Sequence, residues 1–486
     1  MSYVGLGLNI LIGLVYTPWM IHSIGKDNFG LYTLAMSVIS IFMFDFGLSS
    51  AVSRFLSKYL AEGLVAKIKQ FLGIIFKLYF VIDVLLFFVL LGIYFFIPEI
   101  YEKLTPAEVE RFKVVYVIAS VFSLISFPSV PLNGILYANE KFIQMKLCEL
   151  AHKLIIVATM SGCLLLGYGL YALVSVNAFA GIVTLLMKVY CVRKFTHTEV
   201  DLRYSNRKEF GEIFAYSGWS TVQAIAQRMI FNIAPSILGA LSGSAEIAIL
   251  GVAITIEGYT YSFANALSGL FMPRVSQLRA NNADVMPLMI RVGRIQLIII
   301  GTLVIGFILL GRQFVGLWVG PQFAGSYLCA VLLIIPSFFH LPQEIGSTLI
   351  GVDNKVRQCA YVYLAMGVIN VILACLFAPR WGALGIGVSV CIAYLIRTVG
   401  LNVIFYRDLH LDLAAFYRST FLRMAPALLT AGAAGYAVTL LPGAGWPAFL
   451  LKGALLTAAF AASLWLLALS PDEKSLFRSL LRITKT

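Results

Sequence analysis

Nine ionisable side chains stand inside, or at the mouth of, long apolar stretches of this sequence. Five are basic (Arg54, Lys77, Lys153, Arg228, Arg397) and four are acidic (Asp45, Asp83, Glu257, Glu344). A charge in hydrocarbon costs at least about 2.5–3.5 kcal/mol, so such residues usually face a cavity or a partner. The two signs suit different chemistry. Guanidinium and ammonium groups at a cavity mouth suit an anionic headgroup such as a phosphate. A carboxylate in such a setting can bind or release a proton. The seven cysteines form no C-x-x-C pair and no metal-spaced cluster with histidine, so they read as small core residues.

Depth separates these residues, at 1.5 Å of rise per residue. Arg228 lies about 15 residues, or roughly 22 Å, from the inner end of its stretch. Glu257 and Asp83 lie near the middle of theirs, and Asp45 about 13 Å from the inner surface. These four read as cavity-lining, with an Arg228–Glu257 pair that merely tethers neighbouring helices as the alternative. Arg397 and Glu344 fall in inner halves, where both readings stand. Lys77 and Lys153 are one or two turns inside, so their stems can reach the inner headgroups. Arg54 at an inner mouth doubles as a topology anchor. Lys188 also falls inside a span. His152 and His340 titrate near neutral pH when unperturbed, but read first as hydrogen-bonded core residues.

The elements that must position these groups follow from composition. The chain has 486 residues, 60% hydrophobic and only 12% charged, with mean hydropathy +0.90. A soluble domain is about 45–50% apolar and about 25% charged. Composition therefore excludes a soluble enzyme, a disordered chain and a disulfide scaffold. A hydrocarbon core of ~30 Å needs about 20 apolar residues per helix. That ruler marks fourteen stretches: 3–22, 28–52, 71–97, 114–136, 148–167, 170–192, 213–238, 246–272, 292–311, 324–350, 358–378, 382–405, 419–441 and 446–469. The expected fold is an all-α polytopic membrane protein of about 14 transmembrane helices. With the N-terminus inside, inner loops and tail carry 24 of the 36 Lys and Arg residues, and outer loops 7. That asymmetry predicts cytoplasmic N- and C-termini. It also accounts for the net charge of +13 without nucleic acid. The longest loops, 193–212 and 98–113, are too short for a catalytic domain, and no G-x-x-x-x-G-K-[ST] motif occurs. An ATP-driven transporter with an attached nucleotide domain is excluded, and a glycan polymerase or ligase is disfavoured. No enzyme activity and no metal site are expected.

A repeat is visible at an offset of 214 residues. Pro128, Asn139 and Lys141 correspond to Pro342, Asp353 and Lys355, and Val174-Ser175-Val176 to Val388-Ser389-Val390. Six helices per copy give both copies the same orientation, a parallel-repeat plan with its site between the halves near the midplane. The expected domains are a six-helix lobe at 1–200, a second at 201–412, two extra helices at 413–470 and a cytoplasmic tail at 471–486. The extra helices, rich in Ala, Leu and Gly, read as lipid-facing additions.

The N-terminal residues carry a resemblance. Pro18, Ile24-Gly25, Phe29-Gly30-Leu31-Tyr32, Asp45-Phe46-Gly47-Leu48, Ser53-Arg54-Phe55 and Ala61-Glu62-Gly63 resemble the opening of polysaccharide-transporter flippases. These are the Wzx-type O-antigen and exopolysaccharide flippases of the MOP superfamily, related to MATE exporters and lipid II flippases. Leu238-Gly239 to Ala253 and Pro273 to Leu278 agree in outline. The resemblance implies two V-shaped lobes working by alternating access in the bacterial inner membrane. It implies polyprenyl-pyrophosphate-linked oligosaccharide as substrate, moved from the cytoplasmic to the outer leaflet. Other glycan-assembly membrane proteins are its implied partners. No bound cofactor is implied; H+ or Na+ exchange, or the membrane potential, would supply energy. Arg54 and Arg228 are the nearest matches to the family's cavity cations. Asn232 stands where the family has an acidic residue, so coupling would pass to Glu257 or Asp45. The chain enters its first span without the family's short basic segment, so a start further upstream is expected. A MATE-like cation antiporter and a lipid II flippase are the alternatives.

Overall fold

The computed structural model describes residues 2–42, 48–196, 199–204, 206–265, 271–353, 355–469 and 474. Among these residues there is no strand; the fold is all-α. The first helices are α1 (Ser2–Ile24), α2 (Lys26–Phe42), α3 (Leu48–Ala61), α4 (Val65–Ile100), α5 (Pro106–Ser126), α6 (Pro131–Ala138), α7 (Phe142–Leu165) and α8 (Leu170–Thr196). Then come α9 (Arg207–Phe231), α10 (Ala234–Leu241), α11 (Ser244–Asn265), α12 (Met272–Ala280), α13 (Met286–Trp318), α14 (Gly325–His340) and α15 (Glu344–Val352). The chain closes with α16 (Val356–Arg407), α17 (Leu413–Tyr417), α18 (Arg423–Thr439) and α19 (Trp446–Ser463).

Among the described residues, nine helices are long and apolar enough to cross a membrane, or ten if α9 and α10 form one broken span. This is fewer than the fourteen stretches marked in the sequence, and the differences have local causes. At 52 residues α16 would be about 78 Å long, far more than one ~30 Å core requires. It holds two of the fourteen stretches, joined at Gly382, whose φ of 55° and ψ of −132° are not helical. The first stretch contributes only the shorter apolar segment Ile10–Ile24. The second is crossed by 43–47, outside the described residues.

The chain forms two compact units: 1–251 with 360–389, and 252–359 with 390–486. Residues 201–251 and 360–389 thus group with the first 200.

In the first unit α8 packs along α7 and α5, α2 along α5, and α3 against α4 and α6. Leu56, Leu72, Ile75, Tyr79, Phe127 and Leu136 fill one of its cores. The opposite side of α4 exposes Phe80, Leu85 and Phe88, as a lipid-facing helix should. Polar caps hold one end of the unit. Thr105 and Glu108 form a capping box at the start of α5, and Ser244 donates to the Glu108 carboxylate. Gly30 of α2 lies so close to the Ser244 carbonyl that any Cβ would overlap it. This close approach explains the glycine in Phe29-Gly30-Leu31-Tyr32.

In the second unit α13 packs against α14, α18 and α19. Leu297, Ile300, Met424, Ala427, Leu428 and Phe460 form its core. The two C-terminal helices, expected to be lipid-facing additions, therefore also bury a face. Lys452 of α19 is buried at 7% exposure.

Candidate functional site

Arg228 sits in the last turn of α9, just before the chain bends by 41° into α10. Pro235 has no N–H to continue the helical ladder there. In lipid, each carbonyl freed by such a break needs a donor. Asn370 of α16 donates to the Met229 carbonyl at 2.9 Å, and Ser37 of α2 donates to the Asn232 carbonyl. Ser389 supports Asn370 at 3.2 Å. Arg228 itself, half-buried, donates through Nη1 to the Ser40 carbonyl of α2 at 2.9 Å. Asn232, found where an acid was expected, thus serves the break through its backbone.

Ser40 also lines a half-open chamber of about 370 Å³ between α2, α5, α6, α7 and α8, mainly apolar but with several polar groups on its wall. Its walls include Ser126, Ser129, Asn133, Glu149, His152, Asn177, Thr184 and Lys188. Glu149 is paired with Lys146 at 2.7 Å. Thr184 Oγ1 donates to the Ala180 carbonyl at 2.7 Å, so towards His152 Nδ1, 2.9 Å away, it acts as acceptor. That assigns the ring proton to Nδ1. The expectation that His152 is a hydrogen-bonded residue describes this half of its ring.

The second unit brings together two of the expected site residues. Arg397 of α16 is buried, stacks 5.2 Å over the Tyr394 ring, and acts electrostatically on Glu344 at the start of α15. His340, also buried, lies against Tyr394 and Tyr261. Nearby, Gln343 and Asn402 both donate to the Tyr417 hydroxyl, at 2.5 and 2.7 Å. Glu257 is half-buried on the part of α11 that belongs to this unit.

The remaining expected residues are dispersed. Lys77 donates to the Tyr204 carbonyl at 3.0 Å, tying α4 to segment 199–204. Lys69 pairs there with Glu199 at 2.5 Å and, by that hydrogen bond, holds the Glu199 carboxyl below its ordinary pKa. Lys153 is exposed on α7, beside exposed Leu154. Arg54 is exposed on the amphipathic α3. Asp83 is half-buried in the middle of α4, with Oδ1 buried and unbonded. Asp45 lies outside the described residues.

Two cations carry more than the sequence suggested. Lys188 reads there as one more lysine near an inner end. Its place in the chamber depends on which side of α8 faces α7, and the weak amphipathicity of α8 does not disclose that. Arg294 stands at the inner end of the stretch 292–311, where a charge would be expected to face the headgroups, yet it is 5% exposed and donates to the Ser419 carbonyl at 3.0 Å and the Ala468 carbonyl at 2.7 Å.

The sequence matches the family described as polysaccharide biosynthesis protein over residues 2–279. It is 23% identical to an uncharacterized membrane protein, EpsK, of Bacillus subtilis (strain 168), over 98% of this chain and 96% of that one. Its fold is similar to that of the lipid II flippase MurJ in an inward closed conformation, with TM-score 0.76, 14% identity and 99% of both chains covered. It is also similar to an inward-facing multidrug resistance MATE family transporter of the MOP superfamily. There the TM-score is 0.70 and the identity 14%, over 84% of this chain and 95% of that one. The fold is thus that of MOP-superfamily transporters, and the chain is a multi-pass membrane protein.

Proposed function

The chain belongs to the polysaccharide biosynthesis protein family, and from that premise we propose that it is a flippase for polyprenyl-pyrophosphate-linked oligosaccharide. It moves an O-antigen or exopolysaccharide repeat unit from the cytoplasmic to the outer leaflet of the bacterial inner membrane. It works by alternating access, without enzymatic chemistry. Its N- and C-termini are cytoplasmic. Its lobes are residues 1–200 and 201–412, followed by two further spans at 413–470 and a tail at 471–486. Arg228, Arg54, Arg397, Lys77 and Lys153 attract the pyrophosphate. Glu257, Asp45, Asp83 and Glu344 are the candidate coupling acids for H+ or Na+. Lipid-linked substrate and membrane lipids are its partners, with other glycan-assembly membrane proteins beside them.

The observation that carries this reading is the family match over residues 2–279. Arg228 is compatible with it: one guanidinium nitrogen donates to the Ser40 carbonyl, and a guanidinium has further donors that an anion could take.

The test is export of surface glycan in a deletion strain complemented with wild type, Arg228→Ala or Glu257→Gln, at matched membrane abundance. Wild type restores the glycan and Arg228→Ala does not. A deletion that leaves surface glycan intact but sensitises cells to cationic drugs would replace this reading with that of an exporter.

A further inference from the structure

We propose that the chamber between α2, α5, α6, α7 and α8 is a binding site for a phosphate-class oxyanion, with Lys188 as its charged anchor. Lys188 lies eight residues before the end of α8 and four before the end of the apolar stretch 170–192, about 6 Å inside it. Among the described residues its ammonium has no hydrogen bond and no ion pair within 4 Å. The other lysine held inside this unit, Lys77, has a carbonyl partner. An ammonium turned into a half-buried chamber without a bonded partner is stabilised when an anion joins it there. Among the described residues the chamber wall carries one carboxylate, Glu149, which is paired with Lys146 at 2.7 Å and also attracts Lys188 electrostatically without bonding to it.

The rest of the lining supplies what an oxyanion needs. Ser126 Oγ is buried without a partner. The Asn133 carboxamide makes no hydrogen bond among the described residues and has N–H groups to donate, whereas His152, with its ring proton on Nδ1 facing Thr184, presents only the Nε2 lone pair and takes no part in holding an oxyanion. A volume of about 370 Å³ admits a phosphate or pyrophosphate group but not an oligosaccharide. The ligand is therefore the charged head, whether as a free anion or on a lipid. This inference rests on the flippase reading only for the identity of the phosphate's bearer.

The experiment is thermal unfolding of the full-length purified protein in detergent. It is run with inorganic pyrophosphate, with polyprenyl phosphate in mixed micelles, and with sodium chloride at equal ionic strength. Lys188→Met keeps the length of the side chain without its charge, and Lys188→Arg restores the charge. A rise in Tm of several degrees for wild type and Lys188→Arg, absent in Lys188→Met, is the expected result. Asn133→Ala should weaken the apparent affinity about tenfold, the loss of one hydrogen bond to a charged group. A response to pyrophosphate alone identifies a free-anion site; a response only to the polyprenyl compound identifies a lipid-borne phosphate. No response from wild type to either probe, or an equal response from Lys188→Met, overturns the proposal. A Lys188-dependent response in a protein whose deletion spares surface glycan would remove the flippase reading and leave the anion site standing.

Discussion

Arg228 donates to the Ser40 carbonyl at 2.9 Å, and Ser40 is also part of the wall of the chamber that contains Lys188. One backbone group thus joins the deepest guanidinium of the first unit to that chamber. The bond crosses from α9 to α2 beside the helix break, where three carbonyls accept from side chains of other helices.

Replacing Arg228 separates a substrate role from a tether. A hydrogen bond from a charged group contributes about 1.5–3 kcal/mol, so Arg228→Ala should lower thermal stability by that order. If the guanidinium also attracts substrate, glycan exported per molecule of membrane protein falls about tenfold or more, since each decade is 1.4 kcal/mol. Arg228→Lys should recover part of the export. Export per molecule equal to wild type in Arg228→Ala would leave only the tether.

The joint in α16 depends on a glycine. Gly382 has a φ of 55°, and a Cβ there would overlap Glu246 Oε2, which accepts from the Ala383 N–H at 2.7 Å. Gly382→Ala should cost at least about 1–2 kcal/mol from backbone conformation alone. Glu246→Ala leaves the N–H unpaired, at about 1–3 kcal/mol. Because both changes act on one joint, the double variant should be non-additive by about 0.5–3 kcal/mol. Thermal unfolding of the four proteins checks this; strict additivity would mean that the joint is not shared.

Arg294 holds the ends of two C-terminal elements. Arg294→Met removes donors from the Ser419 and Ala468 carbonyls, with a loss of about 1.5–3 kcal/mol for each bond. Arg294→Lys can replace only one of them well, since an ammonium is a point donor and guanidinium a fork. Limited proteolysis should cut Arg294→Met first beyond residue 413. Unchanged cleavage kinetics there would refute the role.

The Lys69–Glu199 pair supplies a pH signature. The lysine holds the Glu199 carboxyl below its ordinary value, so the pair's contribution is present above the unfolded glutamate pKa of about 4.3. It is lost as pH falls through the lowered folded value. The Tm difference between wild type and Lys69→Ala should therefore hold from neutral pH to about 5 and vanish in stronger acid. A difference independent of pH would point to packing of segment 199–204 instead. Both groups are exposed, so the difference should also shrink with added salt.

Much of this protein is determined by sequence alone. Apolar stretches of about 20 residues separated by short basic loops determine an all-α membrane protein, because hydrocarbon leaves backbone groups no partner outside a helix or a closed barrel. The opening motif from Pro18 to Gly63 points to the family that the residue 2–279 match shows. What hydropathy does not encode is the rotation of each helix and the path of each loop. Lys77 and Lys188 look alike in sequence, each an isolated lysine inside an apolar stretch. Only the tertiary structure decides that Lys77 meets the Tyr204 carbonyl while Lys188 enters the chamber. It likewise turns Arg294, at the inner end of its stretch, into the core and brings Arg397 near Glu344. The physical reason is that transfer into lipid sorts segments by their summed apolarity. The partner of a single charge is set by which two helix faces come close enough to share a hydrogen bond.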